Sequence, residues 1–419
     1  MKKKVIVVGG GFAGLQMVRA LDEKLFDIVL LDKLNHHQFQ PLFYQVATSQ
    51  IEPASISFPL RNIFKNKTNV QVRMAEVKSI DRAKKLVSTD IGDFEYDYLV
   101  IAIGCRTNFF GNTNIRNNAF SLKTTYDAIT LRNHVLKNFE AAISAKEEEK
   151  QCYLNLVIVG GGPTGVELAG SFAEIKKNIL PNDYHGIDFS KFRIILVEGS
   201  LNTLNNMSQA TKDTSAKYLR KMGVELKMGT IVKDYDGKML TFTNGEQINT
   251  RTVIWAAGVR GRLMEGFLPE EISEHGNRLL VNRINQIPGS PDVFVVGDIA
   301  CMITPKYPRG HPQLANVAIN QAKLLAKNIK NIELGKPTKE FEYHDLGSMA
   351  TVGTNKALVD FPKVHFKGRI AWLIWMFLHL MLILSVRNKL IIFINWAWAY
   401  ITKDTSLRLI LTRPDDREA

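Results

Sequence analysis

Val5-Ile-Val-Val-Gly9-Gly-Gly11-Phe12-Ala13-Gly14 is the stretch on which the fold turns. Four consecutive apolar residues, three of them valine, read as a short strand buried on both faces, the pattern of a central parallel strand. The glycines that follow, spaced G-x-G-x-x-G, permit a tight turn and let the backbone approach a pyrophosphate closely. A helical run to about Leu25 comes next, and its free N-terminal N–H groups and positive dipole end favour a phosphate. A second strand, Ile28 to Leu31, ends at Asp32, eighteen residues past Gly14, where a carboxylate can accept hydrogen bonds from ribose hydroxyls. The plan then repeats. Leu156-Val-Ile-Val leads into Gly160-Gly-Gly162-Pro163-Thr164-Gly165, a helix to about Lys177, and a strand, Arg193 to Val197, that ends at Glu198. The gap of 33 residues from Gly165 to Glu198 is long, and an insertion around Pro181 to Gly186 accounts for the surplus.

One G-x-G-x-x-G is weak; two copies, each in strand–turn–helix–strand–acid context, are not. They imply two dinucleotides on one chain, FAD on the first copy and a nicotinamide on the second. Glu198 is followed by Gly199 and Ser200 rather than by a basic residue. A carboxylate there accepts a 2′-hydroxyl and repels a 2′-phosphate, so NADH is expected over NADPH.

The rest of the chain narrows the class. With 419 residues, 45% hydrophobic and 23% charged, it suits a folded protein of two or three domains. A disordered scaffold, a collagen-like fibre and a polytopic membrane protein are excluded. Cys105, Cys152 and Cys301 lie 47 and 149 residues apart, with no C-x-x-C, which argues against a dithiol centre or a cysteine-based metal site. No metal is expected. The opening Met-Lys-Lys-Lys before the apolar run superficially matches a signal peptide, but glycines break the run and no cleavage site follows.

The other end differs. Residues 370–386 form an apolar run whose one titratable side chain is His379; Arg387, Asn388 and Lys389 interrupt it, and 390–401 resume it. Between Lys363 and Arg413 stand eight basic residues and one acid, Asp404, so over half of the net +13 lies in about an eighth of the chain. A spanning helix needs roughly 20 apolar residues, which neither run supplies. Trp372, Trp375, Trp396, Trp398 and Tyr400 beside lysines and arginines fit a helical anchor lying on an anionic membrane surface better than a helix packed on the core. No basic run interleaved with aromatics occurs elsewhere, so nucleic acid is not an expected partner.

Beyond the fingerprints, Tyr98-Leu-Val-Ile-Ala102-Ile-Gly104 and Thr252-Val-Ile-Trp-Ala-Ala257-Gly258 resemble the crossover segments of two-dinucleotide flavoproteins. Val293-Phe-Val-Val-Gly297-Asp298 resembles their second FAD motif. Phe39-Gln40-Pro41-Leu-Phe-Tyr-Gln-Val-Ala47, Asp345-Leu-Gly-Ser-Met-Ala-Thr-Val-Gly353 and the tryptophan-rich tail resemble segments of type II NADH:quinone oxidoreductases. The resemblance covers nearly the whole chain. It implies an α/β fold of two Rossmann-like dinucleotide-binding domains, glutathione-reductase-like, with C-terminal membrane-anchoring helices. Residues 1–112 and 288–345 would bind FAD non-covalently, 113–287 would bind NADH, and 346–419 would anchor. The implied activity is hydride transfer from NADH to FAD, then two-electron reduction of a membrane quinone without proton pumping. The implied setting is respiratory, with the enzyme peripheral on the cytoplasmic face of the cell inner membrane and a homodimer as the suggested assembly.

Residue by residue, the resemblance implies FAD contacts at Gly9, Gly11, Phe12, Ala13, Gly14, Asp32, Lys33, Gln40, Pro41, Ala102, Gly104, Gly297 and Asp298. NADH contacts follow at Gly160, Gly162, Pro163, Thr164, Gly165, Glu198, Ala257 and Gly258, and Glu167 matches a glutamate near nicotinamide, flavin and quinone. Asn316, Asn320 and Gln321 match the family's quinone-side amides, though the family commonly has glutamine where Asn316 and Asn320 stand. Asparagine keeps the amide but reaches about 1.3 Å less, so a shifted quinone preference or weaker quinone binding is expected, rather than loss of the NADH half-reaction. Two rivals are a sulfide:quinone oxidoreductase, which needs paired redox cysteines, and an NADH-sensing flavoprotein with little turnover. Cys301 is expected to pack as a small hydrophobe, Trp255 as core, His36 and His37 as exposed or capping loop residues, Lys146–Lys150 as a solvated helix end and Tyr307–Pro312 as a loop.

Overall fold

The computed structural model describes residues 1–405 and 407–411. They form two compact units, the first from Met1–Gln38, Ser57–Arg106 and Val259–His344, the second from Phe39–Ile56, Thr107–Gly258 and the chain from Asp345 onward.

In the first unit five parallel strands lie in the order Val293–Val295, Tyr98–Ile101, Lys3–Val8, Phe26–Asp32 and Val70–Met74. The central strand is fully enclosed from Val5 to Val7, as its unbroken apolar run requires. Because all five strands run the same way, the residues that follow their carboxyl ends share one edge. Gly9, Asp32, Ala102 and Gly297 are brought together there. The helix after Gly11 is shorter than expected. It spans Phe12–Ala20 and stops at Leu21, which is extended. Asp22 explains the stop, since its carboxylate accepts the Lys24 N–H at 2.9 Å and offers the backbone a turn in place of another helical one. The core on one face joins Ile6, Val8, Leu31, Leu99 and Val295 to Phe341 and Tyr343.

The second unit repeats the arrangement with four parallel strands, Val224–Met228, Arg193–Glu198, Asn155–Val159 and Thr252–Trp255 in that order. Gly160, Glu198 and Ala256–Gly258 follow adjacent carboxyl ends. Trp255 is core, as expected, with its indole N–H bonded to the Asn108 carbonyl at 2.8 Å. The helix Pro163–Asn178 leaves this sheet edge and packs along the strand Ser348–Gly353 of an antiparallel three-stranded sheet. Their approach is so close that a Cβ on Gly170 would stand 1.8 Å from the Val352 carbonyl oxygen.

The tail forms two helices, Arg369–Leu382 and Val386–Thr402. Neither they nor any other helix of the described residues is long and apolar enough to cross a membrane. The break between them falls at Ile383, which is extended, so the first apolar run yields a helix of only 14 residues. Each helix has a narrow inner stripe, Ala371 and Trp375 on one, Asn388, Ile392 and Trp396 on the other. Asn388 donates to the carbonyls of Ala54 (3.2 Å) and Ser55 (2.9 Å), and the Trp396 indole donates to Gln45 Oε1 at 2.8 Å. The outer faces expose Leu373, Phe377, Leu390, Phe393, Trp398 and Ile401.

Candidate functional site

Each fingerprint builds the same cradle, and the glycines in it have distinct duties. Gly9 has φ +101°, and a side chain there would meet the Ala102 carbonyl at 2.5 Å. Gly14 lies under Gly9, where a Cβ would fall 1.7 Å from the Gly9 oxygen. Gly11 differs, since nothing stands within 4 Å of the position its Cβ would take. The outer two glycines are demanded by the protein itself, while the middle one keeps a space open at a helix N-terminus. In the second cradle Gly160 has φ +115° and would strike Ala256 at 2.7 Å, Gly165 would strike the Gly160 oxygen at 1.9 Å, and Gly162 again faces open space. Pro163 occupies the first helical turn, where its missing N–H costs nothing.

The acid after each second strand closes its cradle. Asp32 accepts the Gly10 N–H at 2.5 Å and the Leu34 N–H at 2.7 Å. Burial raises its pKa, and these two donors work against that rise. Glu198 accepts the Gly161 N–H at 2.6 Å and the Ser200 N–H at 2.8 Å. Both carboxylates are thereby aimed beside the glycine turn, with lone pairs remaining for a ribose.

The other expected FAD contacts are spread between the units. Phe12 and Ala13 begin the first helix, and Gly297, with φ +77°, would bring a Cβ within 3.2 Å of that of Ala13. Asp298 sits in the one-turn helix Gly297–Ile299, and its carbonyl accepts from Gln313 at 3.1 Å. Lys33 faces Glu76 at 3.6 Å, and Gly104 has φ +65°. Gln40 and Pro41 belong to the second unit, in the turn Gln40–Leu42. Among the expected NADH contacts, Thr164 is exposed beside Pro163, and Ala257 and Gly258 close the strand Thr252–Trp255.

His37 corrects the expectation of an exposed or capping loop residue. It is 1% exposed, in the strand His36–Gln38, and its Nδ1 lies 2.9 Å from the Gly10 carbonyl oxygen. A carbonyl only accepts, so Nδ1 carries the proton. Burial lowers the pKa to about 4, and the neutral ring, edge-on to Phe12 at 5.2 Å, braces the first glycine turn.

Glu167 lies in the second turn of the helix Pro163–Asn178, buried, with the Thr351 N–H 3.4 Å from Oε1. Desolvation pushes its pKa up to about 8, against the pull of that one donor. Burial therefore favours the protonated acid over the carboxylate. The amides of the helix Ala315–Glu333 are arranged differently. Gln321 is 1% exposed and its Oε1 accepts the Gly297 N–H at 2.8 Å, so that oxygen holds the turn presenting Asp298. Asn316 reaches the Tyr343 hydroxyl at 3.4 Å, while its buried Oδ1 has no partner among the described residues, and Asn320 is half-buried.

Four residues were not picked from the sequence. Tyr44 and Gln45 fall inside the quoted segment 39–47, of which only Gln40 and Pro41 were chosen. Thr351 falls inside segment 345–353. Glu174 is seven residues past Glu167, the helical spacing that keeps one face, and the missed clue was a second carboxylate on a buried stripe. Among the described residues no disulfide forms, Cys301 is buried as expected, and Cys105 Sγ donates to the Asp298 carbonyl at 3.3 Å.

Known proteins match this chain along most of its length. Residues 3–322 match the pyridine nucleotide-disulphide oxidoreductase family, and residues 345–403 match the NDH2 C-terminal domain. The chain is 34% identical over 416 residues to the type II NADH:quinone oxidoreductase Ndh of Mycobacterium tuberculosis, covering 96% of this chain and 89% of that protein. It is 33% identical over 362 residues to the type II NADH:quinone oxidoreductase of Staphylococcus saprophyticus, covering 84% and 88%. In fold it is similar to NDH2 of Plasmodium falciparum solved with NADH, at TM-score 0.89 and 20% identity over 98% of this chain and all of that one. The sulfide:quinone oxidoreductase of Aquifex aeolicus shares the fold less closely, at TM-score 0.74 and 20% identity over 96% of each chain. The duplicated cradle, the C-terminal domain and relatives alike over almost their full length place this chain in the type II NADH:quinone oxidoreductase family.

Proposed function

We propose that the protein oxidises NADH and reduces a membrane quinone by way of FAD, without pumping protons. The observation that carries this is the pair of equivalent glycine cradles, each with an open middle position and an acid aimed beside it. The first cradle would hold FAD, and that group, when bound, would supply the chemistry of taking hydride from NADH and giving two electrons to the quinone. The residues present fit that group: Gly11 leaves room at a helix N-terminus for a pyrophosphate, Asp32 receives a ribose, and Gly297–Asp298 flank the same sheet edge. In the second cradle Gly162 admits the NADH pyrophosphate and Glu198 accepts the adenine-side ribose hydroxyls while repelling a 2′-phosphate. Glu167, neutral at pH 7, supplies a proton when quinone is reduced. Asn316 and Asn320 are our assignment for amides that meet the quinone, with Gln321 as the residue that holds their helix against Gly297.

The same proposal covers location. The exposed apolar faces of the two C-terminal helices and their flanking lysines and arginines suit a lipid surface from which a quinone can be taken. Attachment at the cytoplasmic face of the inner membrane and a homodimer complete the reading. Its test is steady-state oxidation of NADH, beside NADPH, by FAD-loaded protein with a short-chain ubiquinone analogue. Fast NADH-dependent quinone reduction, with NADPH much slower, is the expected result. Flavin that NADH reduces and quinone fails to reoxidise would sink the proposal.

A further inference from the structure

The second cradle has a direction. In its sheet the strand Asn155–Val159 lies between Arg193–Glu198 on one side and Thr252–Trp255 on the other. Glu198, which the proposed function gives to the adenine-side ribose, ends the first of these neighbours. A dinucleotide whose pyrophosphate meets the open position at Gly162 therefore runs with its other half over the second neighbour, along Ala256, Ala257 and Gly258. That segment touches the cradle directly. A Cβ on Gly160 would stand 2.7 Å from the Ala256 carbonyl and 2.9 Å from the Ala257 nitrogen.

Above Gly258 stands a phenyl ring. Phe110 Cζ lies 3.7 Å from the point that a Gly258 Cβ would occupy. Phe110 is 68% exposed, and its backbone is left-handed, with φ +50°. A bulky residue keeps that conformation only where its surroundings impose it. Two asparagines do so here. The Asn108 N–H donates to the Gly258 carbonyl at 3.2 Å, the Asn108 carbonyl accepts the Trp255 indole N–H at 2.8 Å, and Asn108 Oδ1 accepts the Phe110 N–H at 2.9 Å. On the far side Asn112 donates to the Lys233 carbonyl at 3.1 Å and to Asp234 Oδ1 at 3.0 Å, and it caps the helix Thr113–Asn118.

Phe109 shows the contrast. Its ring lies 6.2 Å from that of Trp255 and packs against the core of this unit. Phe110 approaches the edge of Trp255 at 6.4 Å and leaves most of its surface to water. The chain accepts backbone strain to hold an apolar ring outside the core and over a bare glycine, which stabilises nothing until a ligand covers the ring.

We propose that Phe110 is a positioning residue for the nicotinamide half of NADH. Gly258, with no side chain, lets that half lie close to the backbone at the end of the strand Thr252–Trp255, and the phenyl ring packs on the uncharged dihydronicotinamide and its ribose. The adenine half, held on the opposite side of the cradle at Glu198, does not meet the ring. The role rests on the reading that this cradle binds NADH.

The test uses full-length, FAD-loaded protein, in which the first cradle is filled, and two variants, Phe110→Ala and Phe110→Tyr. Calorimetric titration gives the affinity for tetrahydro-NAD, a redox-inert analogue of NADH, and for ADP, which carries the adenosine and the pyrophosphate but no nicotinamide half. Thermal melts show that each variant folds. Phe110→Ala should weaken tetrahydro-NAD binding at least about tenfold and leave ADP binding unchanged, while Phe110→Tyr, which keeps the ring, should bind both as wild type does. Wild-type affinity for tetrahydro-NAD in Phe110→Ala overturns the proposal. So does an equal loss for both ligands, which is what a displaced Asn108 clamp would give. Wild-type protein that fails to bind tetrahydro-NAD refutes the NADH reading instead.

Discussion

Exchanging single glycines of the second cradle for alanine separates a residue the fold needs from one the ligand needs. Gly162 has φ −71° and ψ −178°, backbone any residue adopts, and a Cβ there meets nothing within 4 Å. Gly162→Ala should leave stability within about 1 kcal/mol of wild type, with the lower entropy of the unfolded chain acting in its favour. The new methyl occupies the space through which a pyrophosphate approaches the helix N-terminus. Losing one or two charge-assisted N–H bonds there costs about 3 kcal/mol, which weakens NADH binding on the order of 100-fold. Gly165→Ala should do the reverse, since its Cβ would sit 1.9 Å from the Gly160 carbonyl oxygen and neither backbone can yield. A loss above about 4 kcal/mol is expected, enough to prevent folding of that unit. Thermal melts monitored by circular dichroism, paired with NADH titration of tryptophan fluorescence, read both quantities. Equal loss of melting temperature in the two variants, or unchanged NADH affinity in Gly162→Ala, would refute the division of labour. The first cradle offers an independent repeat in Gly11→Ala and Gly14→Ala, read by FAD retention.

Further outcomes follow from the same geometry. Glu198→Gln should lower the preference for NADH over NADPH by at least about tenfold, because it removes the charge that repels a 2′-phosphate, as kcat/KM for the two cofactors would show. Glu167 has a folded pKa of about 8, above its unfolded value, so the native state binds the extra proton between about pH 4.5 and 8. Its contribution to stability is present at low pH and is lost as pH rises through 8. Glu167→Gln should therefore flatten the fall in melting temperature between pH 6 and 9, and an unchanged slope would refute the assignment. Leu390→Glu with Phe393→Glu alters only exposed positions; vesicle flotation with anionic lipid should show binding weakened at least about tenfold, at an unchanged melting temperature.

Much of the site was legible because its requirements are local. Gly9, Gly14, Gly160 and Gly165 are imposed by turns a few residues long, and Asp32 and Glu198 stand at the ends of strands that their own apolar runs declare. The apolar tail showed in the same way, through composition and aromatic spacing. His37 was misread because its burial depends on how the strand His36–Gln38 lies under the Gly10 turn, which no neighbour in sequence reveals. The helix after Gly11 was overextended because the apolar pattern continues beyond Ala20, while the Asp22 carboxylate, a single side chain, favours the turn.

Chain order alone determined that two dinucleotide cradles exist, which acid closes each, and that the tail is apolar, basic and too short in each run to span a bilayer. Tertiary structure decided the surroundings of the charges. Glu167 is an ordinary glutamate by sequence; its raised pKa comes from the strand Ser348–Gly353, far along the chain, which closes over its helix and removes water. Likewise the Gln45 amide donates to the Tyr44 hydroxyl because Trp396, some 350 residues away, donates to its oxygen and so sets which way the amide faces. Pattern in sequence reports what neighbours impose on one another, whereas desolvation and hydrogen-bond direction are set by whichever distant groups the fold brings into contact.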